Sequence, residues 1–167
     1  MRYDAIVIGA GPSGMGIATS LQKQGKECCV ITTGRSVYGY DATEFKSYGG
    51  TVLMGDEIVG SQLEGHRVKA VFSKNLGKEE PLQADEFYLA TGKFLSGGLK
   101  ADMHSVYEPV FGIDVLYDPD RNKWFSEKFN DHQPFMDFGV KVTQDGCALL
   151  DGEPINNLFP VGDIIAR

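Results

Sequence analysis

Tyr3-Asp4-Ala5-Ile6-Val7-Ile8-Gly9-Ala10-Gly11-Pro12-Ser13-Gly14 is the stretch that decides the fold. Its first half is mostly apolar and glycine bounds it at once, the mark of a strand buried on both faces. From Pro12 to Gln24 the spacing becomes helical, with Met15, Ala18 and Leu21 on one stripe and Gly25 as the stop. Pro12 stands in the first turn, where a helix tolerates it. Lys26–Thr33 then supplies a second buried strand around Cys28-Cys29-Val30-Ile31. Residues 1–33 thus predict one β-α-β unit and an α/β fold.

Downstream, Gly34–Gly49 shows no period and reads as a loop or a crossing segment. Short strands follow at Thr51–Met54, Glu57–Gln62, Arg67–Ser73 and Glu86–Ala90, with a turn at Lys74-Asn75-Leu76-Gly77, a pattern that predicts an antiparallel β-meander. Glu79-Glu80 reads as a solvated turn. Phe94–Pro134 is irregular; Gly139–Thr143 and Cys147–Leu150 read as strands, and Leu158-Phe159-Pro160-Val161 runs into Gly162-Asp163. The expected parallel sheet takes its strands from Tyr3–Ile8, Cys28–Thr33, Phe87–Ala90 and the strand before Gly162. The meander is expected on one face and the Pro12–Gln24 helix on the other. No linker divides the chain, so 1–167 is expected to be a single domain. Its parts are a βαβ unit (1–35), a short junction (36–49), the meander with its last strand (50–93), an irregular insertion (94–135) and closing strands (136–167).

Composition narrows the function. The 167 residues are 42% apolar and 23% charged, which suits a soluble globular chain rather than a disordered one. Sixteen basic residues against 23 acidic ones leave a net charge of −7, which argues against nucleic-acid binding. No apolar run approaches the ~18–20 residues of a spanning helix, so no direct membrane insertion is expected. Three cysteines, two of them adjacent, cannot build a disulfide framework, and a reduced cytoplasmic setting is expected.

Gly9-x-Gly11-x-x-Gly14 between strand and helix is the dinucleotide-binding fingerprint in its proper context. Gly9 allows the tight turn, Gly11 lets backbone approach a pyrophosphate, and Gly14 lets helix pack on strand. The helix N-terminus offers N–H groups to the phosphates, so Gly9, Ala10, Gly11, Pro12, Ser13 and Gly14 are candidate cofactor-binding residues. The alternative is a glycine-rich turn without a ligand. In this fold an acidic residue commonly ends the second strand and binds ribose. Here the position reads Ile31-Thr32-Thr33-Gly34-Arg35, with no carboxylate. Thr32 or Thr33 can offer a hydroxyl. Arg35 either reaches a phosphate or is a solvated loop charge.

Two further segments, Phe87-Tyr88-Leu89-Ala90-Thr91-Gly92 and Asn157-Leu158-Phe159-Pro160-Val161-Gly162-Asp163, are apolar strands ending in Ala-Thr-Gly and Gly-Asp. With the N-terminal fingerprint they resemble the three-part signature of FAD/NAD(P)-binding flavoprotein oxidoreductases. The resemblance implies a Rossmann-like FAD/NAD(P)-binding three-layer fold. It also implies that Thr91-Gly92 passes close to the cofactor and that Gly162-Asp163 brings Asp163 to the ribityl chain. Further stretches narrow the likeness: Gly49-Gly50 through Gly55-Asp56-Glu57, Ala90 through Leu99, Glu108 through Val115, and Pro134-Phe135-x-x-Phe138-Gly139-Val140. Together they resemble the B subunit of anaerobic glycerol-3-phosphate dehydrogenase, over Met1–Arg35 and about Phe45–Arg167.

That family implies FAD or FMN as cofactor and oxidation of glycerol 3-phosphate to dihydroxyacetone phosphate, with electrons passed toward quinone. It implies as partners a flavoprotein A subunit together with a membrane-anchoring iron–sulfur subunit, and through them peripheral attachment at the inner face of the cell membrane. Two departures stand out: only Ser36–Phe45 spans a region that is long in the family, and the glycine-rich helix after Gly-Asp is lacking. The expectation is therefore a shortened form that binds flavin weakly or not at all and is inactive or impaired as an enzyme. The alternatives are a non-catalytic scaffold that has lost the cofactor and a nicotinamide-dependent flavin reductase. The latter is disfavoured by the presence of only one glycine fingerprint. No His or carboxylate is tied by spacing to the flavin motifs, so no general base is assigned and the catalytic residues are unknown. His66, His104 and His132 have no ligand spacing, and no cysteine set suits a metal or cluster. Trp124, Phe125 and Phe129 read as a local hydrophobic cluster.

Overall fold

The computed structural model describes residues 1–34, 42–75 and 77–167, with backbone alone for 77–80. Along the chain run β1 (Arg2–Ile8), α1 (Pro12–Lys23), β2 (Cys28–Thr32), α2 (Ala42–Ser47), β3 (Thr51–Met54), β4 (Ile58–Glu64), β5 (Arg67–Ser73) and β6 (Gly77–Leu89). Short strands follow: β7 (Lys100–Ala101), β8 (Val106–Tyr107), β9 (Val115–Leu116), β10 (Gly139–Val140), β11 (Leu149–Leu150), β12 (Glu153–Pro154) and β13 (Leu158–Pro160).

The main sheet has the order β3-β2-β1-β6-β5-β4, and β13 pairs with the end of β6. β1 is parallel to β2 (Ala5 opposite Cys28) and to β6 (Ile8 opposite Leu89), and β13 is parallel to β6 (Phe159 opposite Tyr88). These are the four parallel strands expected from sequence. Strand alternation then sorts the side chains. Ala5, Val7, Cys28 and Val30 face α1 and pack with Met15, Ala18 and Leu21. Ile6, Ile8, Cys29 and Ile31 face the other way and pack with Ile58, Val71, Leu82 and Phe87.

Several elements differ from the sequence reading. Thr51–Met54, expected in the antiparallel meander, is parallel to β2 at the sheet edge. The reason lies in Gly34–Gly49, read as a loop, where α2 carries the chain across the α1 side. Its six residues are too few for a period to show, and Phe45 is its single buried anchor. The meander is no separate layer, because β4 and β5 continue the same hydrogen-bonded sheet through β6. Their apolar side chains nevertheless pack on the face away from α1, as expected. Glu79-Glu80 lies within β6 rather than in a turn. Leu76 of the expected turn lies outside the described residues. The strands expected over Gly139–Thr143 and Cys147–Leu150 shrink to β10 and β11 with a lone Val142–Ala148 bridge. Trp124 is buried against Tyr117 and Phe138, and Phe125 packs on Phe135, but Phe129 is exposed and outside any such cluster.

β6 changes partner midway: Leu82 and Gln83 pair with β5, whereas Phe87 to Leu89 pair with β13. A seam between two partners leaves ladder groups without a strand neighbour, and each such buried group must find another bond. Asn157 closes this one. Its buried side chain accepts from the Val68 N–H (2.8 Å) and donates to the carbonyls of Val68 (2.8 Å) and Asp85 (3.0 Å). This fixes the strand that delivers Gly162-Asp163.

Cys28 and Cys29 are fully buried on opposite faces of β2, and burial pushes their thiols up to about 11 and about 12. Cys147 is half-buried. Since thiolate is the reactive form, a thiol reagent at mild alkaline pH is expected to modify only Cys147 in the native protein, and all three cysteines after denaturation. Because the folded values are raised, the stability tied to the two neutral thiols is present below the ordinary value of 9.0 and lost as pH rises through about 11 to 12. The melting temperature is expected to fall across that window.

Candidate cofactor-binding cleft

The β1–α1 turn shows what each glycine is for. Gly9 has φ +107°, and a Cβ there would lie 2.2 Å from the Ala90 carbonyl oxygen. A Cβ on Gly14 would lie 2.0 Å from the Gly9 carbonyl oxygen. Packing therefore demands both glycines. Gly11 is different: φ is −74°, and a Cβ there would meet no atom of the described residues within 4 Å. Among the described residues nothing requires glycine at that point, and Gly11 lines a cleft. Gly11 caps α1 without a side-chain bond, Pro12 has no N–H, and Met15 N–H donates to Gly11 O (2.9 Å). The N–H groups of Ser13 and Gly14 are left at the helix terminus, with no acidic residue in the first turn. That arrangement favours an anion.

The cleft measures about 820 Å³, within the range of small-molecule and cofactor sites. Gly9 to Ser13 line it together with Thr32 and Thr33 from the end of β2. Thr91, Gly92 and Asp163 line it as well. Apolar lining comes from Ile58, Val59, Leu95, Pro109 and Val110. The structure thus brings three segments far apart in sequence to one cavity. Two predicted positions have another role. Gly14 packs as above, and Gly162 (φ +76°) abuts α1, where a Cβ would lie 2.3 Å from Ser13 Oγ. Neither is among the residues that line the cleft; Gly14 keeps its N–H at the α1 terminus, and Gly162 packs on the start of α1. Arg35 lies outside the described residues.

The polar groups are unevenly engaged. Thr32 Oγ1 accepts from the Gly34 N–H at 3.2 Å. Among the described residues Thr91 Oγ1 is buried with no hydrogen-bond partner, an orphan that a packed interior rarely tolerates. Asp163 pairs with Arg167 Nη2 at 2.8 Å, with both side chains more than half exposed, so the pair holds it only weakly. Lys93, beside Asp163, donates to the Met136 carbonyl; burial lowers its pKa, against the pull of Asp163.

The sequence reading missed the Gly55-Asp56-Glu57 turn as part of the cleft. Asp56 N–H donates to Thr32 O and Gly55 N–H to Gly34 O, both at 3.0 Å. The signal lay in the register of β3 on β2, which no local pattern reveals. Glu108 was missed as well. Its carboxylate is 2% exposed and accepts from the N–H groups of Val110 (2.9 Å), Phe111 (2.7 Å) and Gly112 (3.0 Å). Burial raises its pKa against these donors. Ser61 Oγ donates to Val110 O at 3.1 Å and ties the loop to β4, so Glu108 holds the loop that brings Pro109 and Val110 to the cleft.

A helix terminus with free N–H groups, a glycine cleared for close approach and an orphan hydroxyl fit a diphosphate-linked cofactor. Comparison with known proteins agrees. The family model of the FAD binding domain matches residues 4–71 and 48–167, and the chain belongs to that family of flavoproteins. Of the two flavins expected, this supports FAD. Within it, the chain is similar to the B subunit of anaerobic glycerol-3-phosphate dehydrogenase. The protein of that name from Aliivibrio fischeri is 38% identical over 134 residues, 73% of this chain and 29% of the relative. The one from Vibrio cholerae is 36% identical over 120 residues, 71% and 27% respectively. The chain spans less than a third of the length of these curated relatives. Among solved structures, the GidA-related protein from Thermus thermophilus matches 99% of this chain and 90% of its own. Its TM-score of 0.57 at 17% identity shows a shared fold.

Proposed function

We propose that this chain is the FAD-holding part of a flavin-dependent dehydrogenase. The reaction is oxidation of glycerol 3-phosphate to dihydroxyacetone phosphate. Electrons pass toward quinone through a flavoprotein A subunit together with a membrane-anchoring iron–sulfur subunit. The observation that carries the flavin part is the convergence of the Gly9–Ser13 turn, Thr91-Gly92 and Asp163 on one cleft. The substrate and partners rest on the likeness to the dehydrogenase B subunit. Among the described residues no helix is long and apolar enough to cross a membrane, so a role for partners in anchoring fits.

In this reading the α1 terminus binds the diphosphate, Asp163 accepts from ribityl hydroxyls, and Thr91-Gly92 lies along the cofactor. Bound FAD supplies the two-electron acceptor for the C2 alcohol of glycerol 3-phosphate, which loses two protons on becoming a ketone. The test is anaerobic reconstitution of the chain with FAD, then addition of glycerol 3-phosphate. Bleaching of the flavin band by the sugar phosphate is the expected result. Bleaching by a reduced nicotinamide alone points to a reductase, and failure to retain FAD points to a scaffold; either overturns the reading.

A further inference from the structure

We infer that Glu57 supplies the ribose-recognising carboxylate that the end of β2 lacks. The inference rests on the FAD reading above and deepens it. In doubly wound folds the acid closing the second strand binds ribose hydroxyls, yet Thr32-Thr33-Gly34 offers none. The structure lays the Gly55-Asp56-Glu57 turn across that strand end, tied by the Asp56 N–H to Thr32 O and the Gly55 N–H to Gly34 O. The turn after β3 therefore sets two carboxylate-bearing residues, Asp56 and Glu57, beside the end of β2.

They are in different states. Asp56 is buried, and its oxygens accept from Ser73 Oγ, Glu57 N–H (2.8 Å) and Asn75 N–H (3.1 Å). Its acceptors are committed to holding the turn. Glu57 lines the same cleft as Thr32 and Thr33, with a side chain 51% exposed. Among the described residues its carboxylate meets only Lys74 Nζ, at 3.8 Å and itself 68% exposed. A surface pair at that distance competes little with a hydroxyl donor. Asp56 positions the turn and Glu57 reads the ligand.

The test measures affinity, not turnover. FAD and its 2′-deoxyadenosine analogue are titrated by flavin fluorescence into the wild-type chain and into Glu57→Gln. The wild type is expected to prefer FAD by about tenfold, and the variant to hold both within about twofold of each other. A variant that keeps the tenfold preference, or a wild type that shows none, overturns the inference while leaving FAD binding in place. A wild type that takes up no FAD overturns both the inference and the reading beneath it. Glu57 is half exposed, so an unchanged melting temperature separates lost recognition from lost fold.

Discussion

Gly11→Ala is expected to leave the fold intact and to weaken FAD binding by at least about a hundredfold, or ~2.7 kcal/mol. The backbone at Gly11 has φ −74°, open to any residue, and its new methyl group would meet no atom of the described residues within 4 Å. The methyl would instead fill the space through which a diphosphate approaches the Ser13 and Gly14 N–H groups. Gly14→Ala is the contrasting change. Its Cβ would lie 2.0 Å from the Gly9 carbonyl oxygen, so α1 must shift off β1 before any ligand is considered. Thermal melting and FAD titration of both variants separate the two roles. Gly11→Ala should melt like the wild type and bind poorly; Gly14→Ala should melt early. A destabilised Gly11→Ala, or one with normal FAD affinity, contradicts the assignment.

Glu108→Gln is expected to destabilise the protein by about 3 kcal/mol, which for a chain of this size lowers the melting temperature by roughly 6–12 °C. The change is nearly isosteric, so volume is not the cause. Oε1 accepts from Val110 and Oε2 from both Phe111 and Gly112. An amide has one acceptor, so its NH₂ must face N–H donors in a site that is 2% exposed. Burial has already raised the Glu108 pKa, yet the protonated acid keeps a lone pair on each oxygen, which the amide nitrogen cannot. The cleft lining at Pro109 and Val110 should loosen with it, so weaker FAD binding is expected alongside the lower melting temperature. A Glu108→Gln protein that melts normally would show that the loop needs no such anchor.

How much of this was open to reading in the sequence follows from how local each signal is. The β1–α1–β2 unit was legible because periodicity, Pro12 and three glycines all fall within one continuous stretch. So were the Thr91-Gly92 and Asp163 ends, each marked by an apolar strand running into a short turn. The α2 helix was not, since six residues with a single buried Phe45 leave no period. The parallel placing of β3 was hidden for the same reason, because only the crossing at α2 decides it. Glu57 as a cleft residue, and Glu108 as the anchor of the loop beside it, were invisible because their relevance depends on contacts across the sheet and within a loop that lacks regular structure. Gly14 and Gly162 were correctly marked as special, but the structure assigns them packing against Gly9 and Ser13.

In the proposed reading the cleft lined by Gly9 to Ser13 holds FAD. Equilibrium titration of the purified 167-residue chain with FAD, following flavin fluorescence and confirming by co-elution on a sizing column, tests it. Saturable, stoichiometric binding by the wild type, competed by ADP and lost in Gly11→Ala, is the expected result. Absence of saturable binding, or binding that Gly11→Ala leaves untouched, would contradict it.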